Sequence, residues 1–233
     1  MPDSPAAGKI TDKELPRIVN YLREFVTDQR WERINRVIES RTRCLNVVLE
    51  DLYQPHNASA VMRSCDAFGI QDLHVIEKTN RFTPDSGIAM GSEQWLTVQK
   101  YRGKRALENC LLRLKEQDFR IVATSPHEQD LDIDKLKSDR KLSLMFGSEL
   151  SGLSDKALEM ADIRCRIPME GFTESFNISV SASLFMYELS RKLKNSGMEW
   201  RLTEKEKLKL RYEWLLKTLK AGDQLVDKFL RDS

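Results

Sequence analysis

Apolar residues recur at three- and four-residue steps from Thr11 to about Ser40, through Leu15, Ile18, Val19, Leu22, Phe25 and Val26, then Trp31, Ile34, Val37 and Ile38. That spacing predicts one or two amphipathic helices. Pro16 falls early enough to sit in a first turn, where its missing N–H is not needed. The pattern then changes to short β-rich runs alternating with helical stretches. The runs are LNVVLED at 45–51, DLHVIE at 72–77, WLTVQKY at 95–101, FRIVATS at 119–125, KLSLMFG at 141–147 and DIRCRIP at 162–168. Helical spacing separates them from about Asn57 to Phe68, ending at Gly69, then over 103–117 and near 154–160. This alternation predicts an α/β fold: a doubly wound, mostly parallel sheet with helices on both faces.

Helical periodicity returns from Ile178 to Leu193. A further stripe of Leu208, Tyr212, Leu215, Leu219, Val226 and Phe229 follows, with Gly222-Asp223 as its natural interruption. The stretch KTNRFTPDSGIAMG at 78–91 holds a proline, two glycines and little periodicity, which predicts a mobile loop over the sheet. Its Arg81 is a candidate phosphate contact. The expected organisation is an N-terminal helical extension at 1–43, a principal domain at 44–195 and a C-terminal helical extension at 196–233.

Composition narrows the class without naming it. A chain of 233 residues, 40% hydrophobic and 32% charged, suffices for one substantial core with appended elements. It has no run of about 18 apolar residues and its first residues lack a secretory apolar segment, so a soluble cytoplasmic protein without a membrane span is expected. Cys44, Cys65, Cys110 and Cys165 form no C-x-x-C pair, and His56, His74 and His127 share no ligand spacing. Buried reduced thiols are therefore expected, and no metal site.

The net charge of +2 is unevenly spread. Residues 1–43 hold 9 basic against 7 acidic side chains, residues 191–233 hold 12 against 7, and the acidic middle holds 17 against 22. Basic ends on an acidic body fit either solvated helix faces or a phosphate footprint, since Lys and Arg clusters bind nucleic acid by displacing counterions.

In open α/β sheets ligands lie beyond the carboxyl ends of the strands, so residues just after each β-run are the ones to inspect. Three such positions are unusual: Thr124-Ser125-Pro126, the run from Gly147 to Gly152, and the segment IPMEGFTESFNISVSAS at 167–183. Gly147 would let a backbone approach a ligand closely. Neither a G-x-G-x-x-G fingerprint nor a P-loop occurs, so a nicotinamide dehydrogenase or P-loop NTPase gains no support. Ser175 and Asn177 are both suited to capping the helix that follows. Asn57 reads as an N-cap or strand-end residue, and Arg63 lies nearly two turns into its helix, where a lone Arg is commonly solvated.

Taken together, PHNASAVMRSCDAFG at 55–69, LMFGSELSGL at 144–153 and the 167–183 segment resemble the SpoU/TrmH branch of the SPOUT RNA 2′-O-ribose methyltransferases. The likeness spans roughly residues 45–195. Phe176, Ile178 and Ser181 stand where that branch often has Leu, Val and Ala. The resemblance implies a sheet whose C-terminal part is threaded as a trefoil knot, S-adenosylmethionine as methyl donor, and a homodimer whose site is completed across the interface. It implies that Thr124, Phe146, Gly147, Ile167, Met169 and Phe176 line the donor pocket. It further implies that Arg63, Asn57, Glu149, Ser175 and Asn177 form the catalytic and ribose-handling set. The reaction would be attack by a ribose 2′-hydroxyl on a sulfonium methyl, which needs alignment and a route for one proton and no metal. Arg63 would serve as base or as a phosphate-binding electrostatic group, the second suiting a guanidinium that is hard to deprotonate.

Helical extensions at both ends resemble the subgroup acting on guanosine-18 in the D-loop of tRNA, which would give the basic ends a purpose. Ribosomal RNA or another tRNA position is the alternative target. A non-catalytic RNA-binding protein that keeps the fold is the alternative of another class.

Overall fold

The computed structural model describes residues 10–232 except 84 and 128. In chain order its helices and strands are α1 (Leu15–Arg23), α2 (Asp28–Glu39), β1 (Leu45–Glu50), α3 (Pro55–Phe68), β2 (Asp72–Glu77), α4 (Ser86–Ala89), β3 (Thr97–Arg102) and α5 (Ala106–Glu116). They continue with β4 (Arg120–Thr124), β5 (Leu131–Asp132), β6 (Leu142–Phe146), α6 (Asp155–Met160), β7 (Ile163–Arg166), α7 (Ile178–Lys194), α8 (Glu204–Thr218) and α9 (Gly222–Asp232). Two compact units result: Thr42–Trp200, and a helical unit made of the chain up to Arg41 and from Arg201 onward.

Among the described residues of the larger unit seven strands pair in parallel, in the order β3-β2-β1-β6-β4-β7-β5. Helices cover both faces. Val47, Leu49, Leu144 and Phe146 pack with Val61 and Met62 of α3 and Phe185 and Met186 of α7. Val48, Ile121, Ala123 and Met145 face the other way, onto Leu107, Cys110 and Leu111 of α5 and Ala157 of α6. With both faces covered, the central strands are rich in apolar residues on both sides, and β1, β2 and β6 are buried along their whole length. The order departs from sequence because β6 inserts between β1 and β4. A crevice at such a reversal, beyond the strand ends, is where an α/β sheet takes its ligand.

Local chemistry sets the boundaries of α3. Pro55 occupies its first turn, and Gly69 ends it at φ 78, a left-handed conformation that costs glycine little. Asn57, expected as a cap, instead lies inside the first turn of α3 and is buried; Gln54 is the N-cap residue and makes no side-chain cap bond. Strand β5 is too short to leave a periodic trace and was not anticipated.

The 78–91 segment, expected as a mobile loop, is tied down at its start. The Asp51 carboxylate accepts bonds from the backbone N–H groups of Lys78, Thr79 and Asn80 at 2.8–2.9 Å. Phe82 is buried, and the helical turn α4 follows. Arg81, the candidate phosphate contact, lies 3.6 Å from Glu77 as an ion pair and keeps its side chain largely exposed.

Cys65, Cys110 and Cys165 are buried and Cys44 is half-buried. Burial pushes Cys110 and Cys165 up to about 12, which keeps them unreactive near neutral pH. His74 is buried beside the Tyr101 hydroxyl at 3.1 Å, and burial, with Arg113 and Arg43 nearby, lowers it to about 4.

In the helical unit α1 packs on α8 and α9, and α2 packs on α8. Ile18, Val19, Leu22, Ile34 and Ile38 supply the buried stripe of α1 and α2; Leu210, Tyr212, Trp214, Leu215 and Val226 supply that of α8 and α9. The C-terminal stripe does break, α9 beginning at Gly222, where a side chain would press on the Leu216 backbone at 3.0 Å. The Arg41 guanidinium sits over the Trp214 ring at 5.2 Å. Among the described residues no helix is long and apolar enough to cross a membrane.

Candidate active site

Beyond the carboxyl ends of β4, β6 and β7 lies a cavity of about 640 Å³, within the roughly 300–1,000 Å³ usual for ligand sites. Three walls correspond to the three strand-end segments. One is Thr124–His127, another the loop from Phe146 to Leu153, and the third runs from Ile167 and Met169 to Ser175, Phe176 and Asn177. Gln54 and Asn57, from the turn after β1 and the first turn of α3, complete the rim.

The 147–153 loop owes its shape to Gly147. A Cβ on that residue would overlap the backbone of Gly152 and Leu153, so only glycine allows the chain to double back so tightly. The turn is closed by reciprocal bonds between Ser148 and Gly152, N–H to carbonyl at 3.0 Å in each direction, and by the Ser148 and Ser151 hydroxyls at 2.7 Å. A Cβ at Gly147 would thus meet this chain's own backbone, and Gly147 also borders the cavity.

A chain of side-chain bonds ties the walls together. The Asn57 amide donates to Glu149 Oε1 at 2.7 Å, and the Asn177 amide donates to Asn57 Oδ1 at 3.2 Å. Asn177 Oδ1 caps α7 by accepting from the Ser179 N–H at 2.9 Å. Capping is thus the part of Asn177, whereas Ser175 lines the cavity and makes no cap bond. Glu149 also accepts from the backbone N–H groups of Tyr53 at 3.2 Å and Gln54 at 3.3 Å, placing a carboxylate at the start of α3 where the helix dipole favours it.

Burial alone would push the Glu149 carboxyl up, but the bonds from Asn57, Tyr53 and Gln54 outweigh it and hold the group below the usual carboxylate range. A depressed folded-state pKa means stability that is present at neutral pH and lost as the pH falls through it. A Glu149→Gln variant is therefore expected to be less stable than wild type at pH 7, by about 1–2 kcal/mol for a partly screened, hydrogen-bonded charge. That deficit should shrink below about pH 4.3, the unperturbed glutamate value. Urea denaturation of both proteins at a series of pH values checks this; a deficit independent of pH would show that Glu149 stabilises only through neutral bonds.

Of the residues anticipated from sequence, Asn57, Glu149, Ser175 and Asn177, and Thr124, Phe146, Gly147, Ile167, Met169 and Phe176, all border this one cavity. The Thr124 hydroxyl is spent on the Met145 carbonyl at 2.9 Å. Arg63 is the exception: it is exposed on α3, does not border the cavity, and has no ion pair among the described residues. Six residues along a helix turn it about 240° from Asn57. The reading of the sequence missed Gln54 and His127, which follow strand ends and so carried a signal, and Leu158 and Phe185, whose helical apolar positions look like ordinary core.

A wholly parallel sheet with a cavity of apolar side chains, polar groups and backbone turns beyond its strand ends defines an α/β protein built to take a nucleotide-like ligand. The chain belongs to the SpoU rRNA methylase family, whose model matches residues 44–187. It is 39% identical over 209 residues to the tRNA (guanosine(18)-2′-O)-methyltransferase of Borreliella burgdorferi, covering 90% of this chain and 94% of that one. The structure is similar to that of the Aquifex aeolicus TrmH/SpoU tRNA modifying enzyme, with a TM-score of 0.75 and 30% identity over 82% of this chain and 98% of the other. It shares its fold with the SpoU methyltransferase AviRb from Streptomyces viridochromogenes, solved in complex with the cofactor AdoMet, at a TM-score of 0.60 and 24% identity, covering 69% of this chain and 64% of AviRb.

Proposed function

We propose that this protein methylates the ribose 2′-hydroxyl of guanosine-18 in tRNA, in the cytoplasm, with S-adenosylmethionine as methyl donor. The observation that carries the reading is the hydrogen-bonded chain Asn177–Asn57–Glu149 at the rim of a cavity walled by three strand ends, in a chain whose near full-length relative bears that activity in its name.

The cavity fits the donor. Phe146, Ile167, Met169 and Phe176 offer apolar walls for an adenine ring, and the doubled-back 147–153 loop offers peptide groups in place of side chains. When bound, S-adenosylmethionine supplies an activated methyl group. The chain's own task is alignment: Ser175 and the Asn57–Asn177 pair stand where a ribose hydroxyl is held. Such positioning can supply on the order of 7–11 kcal/mol of a reaction barrier. Glu149, already accepting three bonds, holds Asn57 in place. The family's trefoil threading is part of the same reading, supported by the family match and by the likeness to the Aquifex aeolicus enzyme.

Arg63 completes the site from a second copy of the chain. Support comes from α7, which packs on α3 and leaves Val180, Leu184 and Tyr187 exposed at one helical face. A dimer formed there would carry the Arg63 of one protomer towards its partner's cavity, where it binds the phosphate beside the target ribose and stabilises developing charge. Light scattering should give twice the chain mass, and Leu184→Glu should yield monomers without methyl transfer.

The test is nucleoside mass spectrometry of unmodified tRNA incubated with the protein and S-adenosylmethionine. The expected product is 2′-O-methylguanosine at position 18. Product confined to ribosomal RNA, which the family's description would suit, would replace the tRNA reading. Absence of any methylated ribose on either RNA would favour a non-catalytic RNA-binding role.

A further inference from the structure

We infer that Glu50 is a positioning residue for methyl-donor binding: with Lys78 and Ser154 it fixes the far end of the 147–153 loop. The inference rests on the proposed donor site. Glu50 is the last residue of β1, only 2% exposed, and lines no part of the cavity. A carboxylate so buried must find partners, because an unpaired buried charge is costly. Its partners lie on two distant segments. Ser154, just after the loop, donates from its N–H to Glu50 Oε2 at 3.0 Å and from its hydroxyl to Oε1 at 2.7 Å. The Lys78 ammonium pairs with Glu50 and also donates to the Ser154 hydroxyl at 3.1 Å.

The placement of this cluster gives it a consequence. Gly152 and Leu153, directly before Ser154, are the backbone on which Gly147 lies, and both line the donor cavity. Within the same loop Glu149 reaches out to the start of α3. Two carboxylates therefore hold one loop from opposite ends, Glu149 gripping α3 and Glu50 gripping Ser154. Ser154 is also the N-cap of α6, its hydroxyl accepting from the Ala157 N–H at 3.4 Å. Lys78 extends the clamp to the segment that Asp51 holds, so the start of the 78–91 loop and the donor loop share one anchor. Releasing the clamp lets the Gly152–Leu153 wall drift from its place while the ribose-handling residues keep theirs. The effect should therefore fall on donor affinity.

The test compares wild type with Glu50→Gln, Ser154→Ala and Ser154→Thr by calorimetric titration with S-adenosylmethionine, steady-state kinetics on tRNA and thermal melting. Glu50→Gln is expected to weaken donor binding roughly tenfold, the effect of losing one charge-assisted hydrogen bond. The KM for the donor should rise in parallel, with kcat and the KM for tRNA within about twofold of wild type. Ser154→Ala should weaken donor binding less, because its N–H bond survives, and Ser154→Thr should restore it, since threonine also caps helices. Unchanged donor affinity in both Glu50→Gln and Ser154→Ala overturns the inference. So does an equal loss in kcat and both KM values that tracks melting temperature, and Ser154→Ala decides the matter if Glu50→Gln does not fold. Failure of the wild-type protein to bind the donor would instead overturn the proposed function.

Discussion

A Gly147→Ala variant is expected to lose methyl-donor binding and methyl transfer by at least about a hundredfold, the cost of misplacing reacting groups by about 1 Å. The added methyl has nowhere to go. Its neighbours would be the carbonyl group of Gly152 and the backbone nitrogen of Leu153, and main-chain atoms held by the Ser148–Gly152 bonds cannot swing aside as a side-chain tip can. Overpacking of this kind costs about 1–3 kcal/mol, occasionally more. With a melting shift of about 2–4 °C per kcal/mol in a domain of this size, a fall of up to about 10 °C is expected. Calorimetric titration with S-adenosylmethionine and a melting curve on the same sample check both parts. Donor affinity within threefold of wild type would mean that the loop can open without disturbing the cavity.

Arg63→Ala is expected to behave in the opposite way. Arg63 is exposed, and no described residue pairs with it, so its removal should change stability by no more than about 0.5 kcal/mol. Methyl transfer should nevertheless fall by about 10²–10³, the range for losing a group that stabilises charge in the transition state. Donor affinity should stay within about threefold, because Arg63 does not border the donor cavity. Arg63→Lys keeps the charge but loses the planar fork and should recover part of the rate. Unchanged turnover and an unchanged pH–rate profile in both variants would remove Arg63 from the mechanism. Mixing Arg63→Ala chains with chains inactivated at Gly147 adds a sharper test. A site shared between protomers predicts partial recovery of activity in mixed dimers, since each mixed dimer contains one site with an intact Arg63 facing an intact cavity.

Much of the catalytic unit is legible in the sequence because its signals are local. The strands β1, β2, β4 and β6 announce themselves as short runs rich in β-branched and other apolar residues, since helices bury both of their faces. Gly69 and Pro55 mark the ends of α3 by backbone sterics that need no knowledge of the rest of the chain. The cavity lies at the strand ends for a physical reason too: in a parallel sheet those ends open on one side, so segments far apart in sequence converge there. The same rule fails for Leu158 and Phe185, which reach the cavity from helices. It fails for β5 because two residues carry no period. Asn57 was misread because asparagine favours helix caps, and nothing local reveals that Glu149 and Asn177 wait to hydrogen-bond it from 92 and 120 residues away.

The sequence alone reveals the longer helices and strands and their kind, the end of α3 at Gly69, the absence of cysteine and histidine ligand motifs, and the strand-end segments that border the cavity. All of these follow from periodicity, turn sterics and residue type over a few neighbouring positions. Only the tertiary structure decided that β6 enters between β1 and β4, and that the first and last helices share one compact unit. It alone showed that Gly147 is glycine to admit its own chain, that Glu50 clamps Ser154, and that Arg63 stands apart from the cavity. The strand order, the shared helical unit and the Glu50–Ser154 clamp join residues far apart in sequence, so they depend on closing long loops and on the burial gained when distant surfaces meet, a balance that no local pattern contains. The turn at Gly147 closes within one short loop, and the separation of Arg63 from the cavity follows from how α3 is set on the sheet.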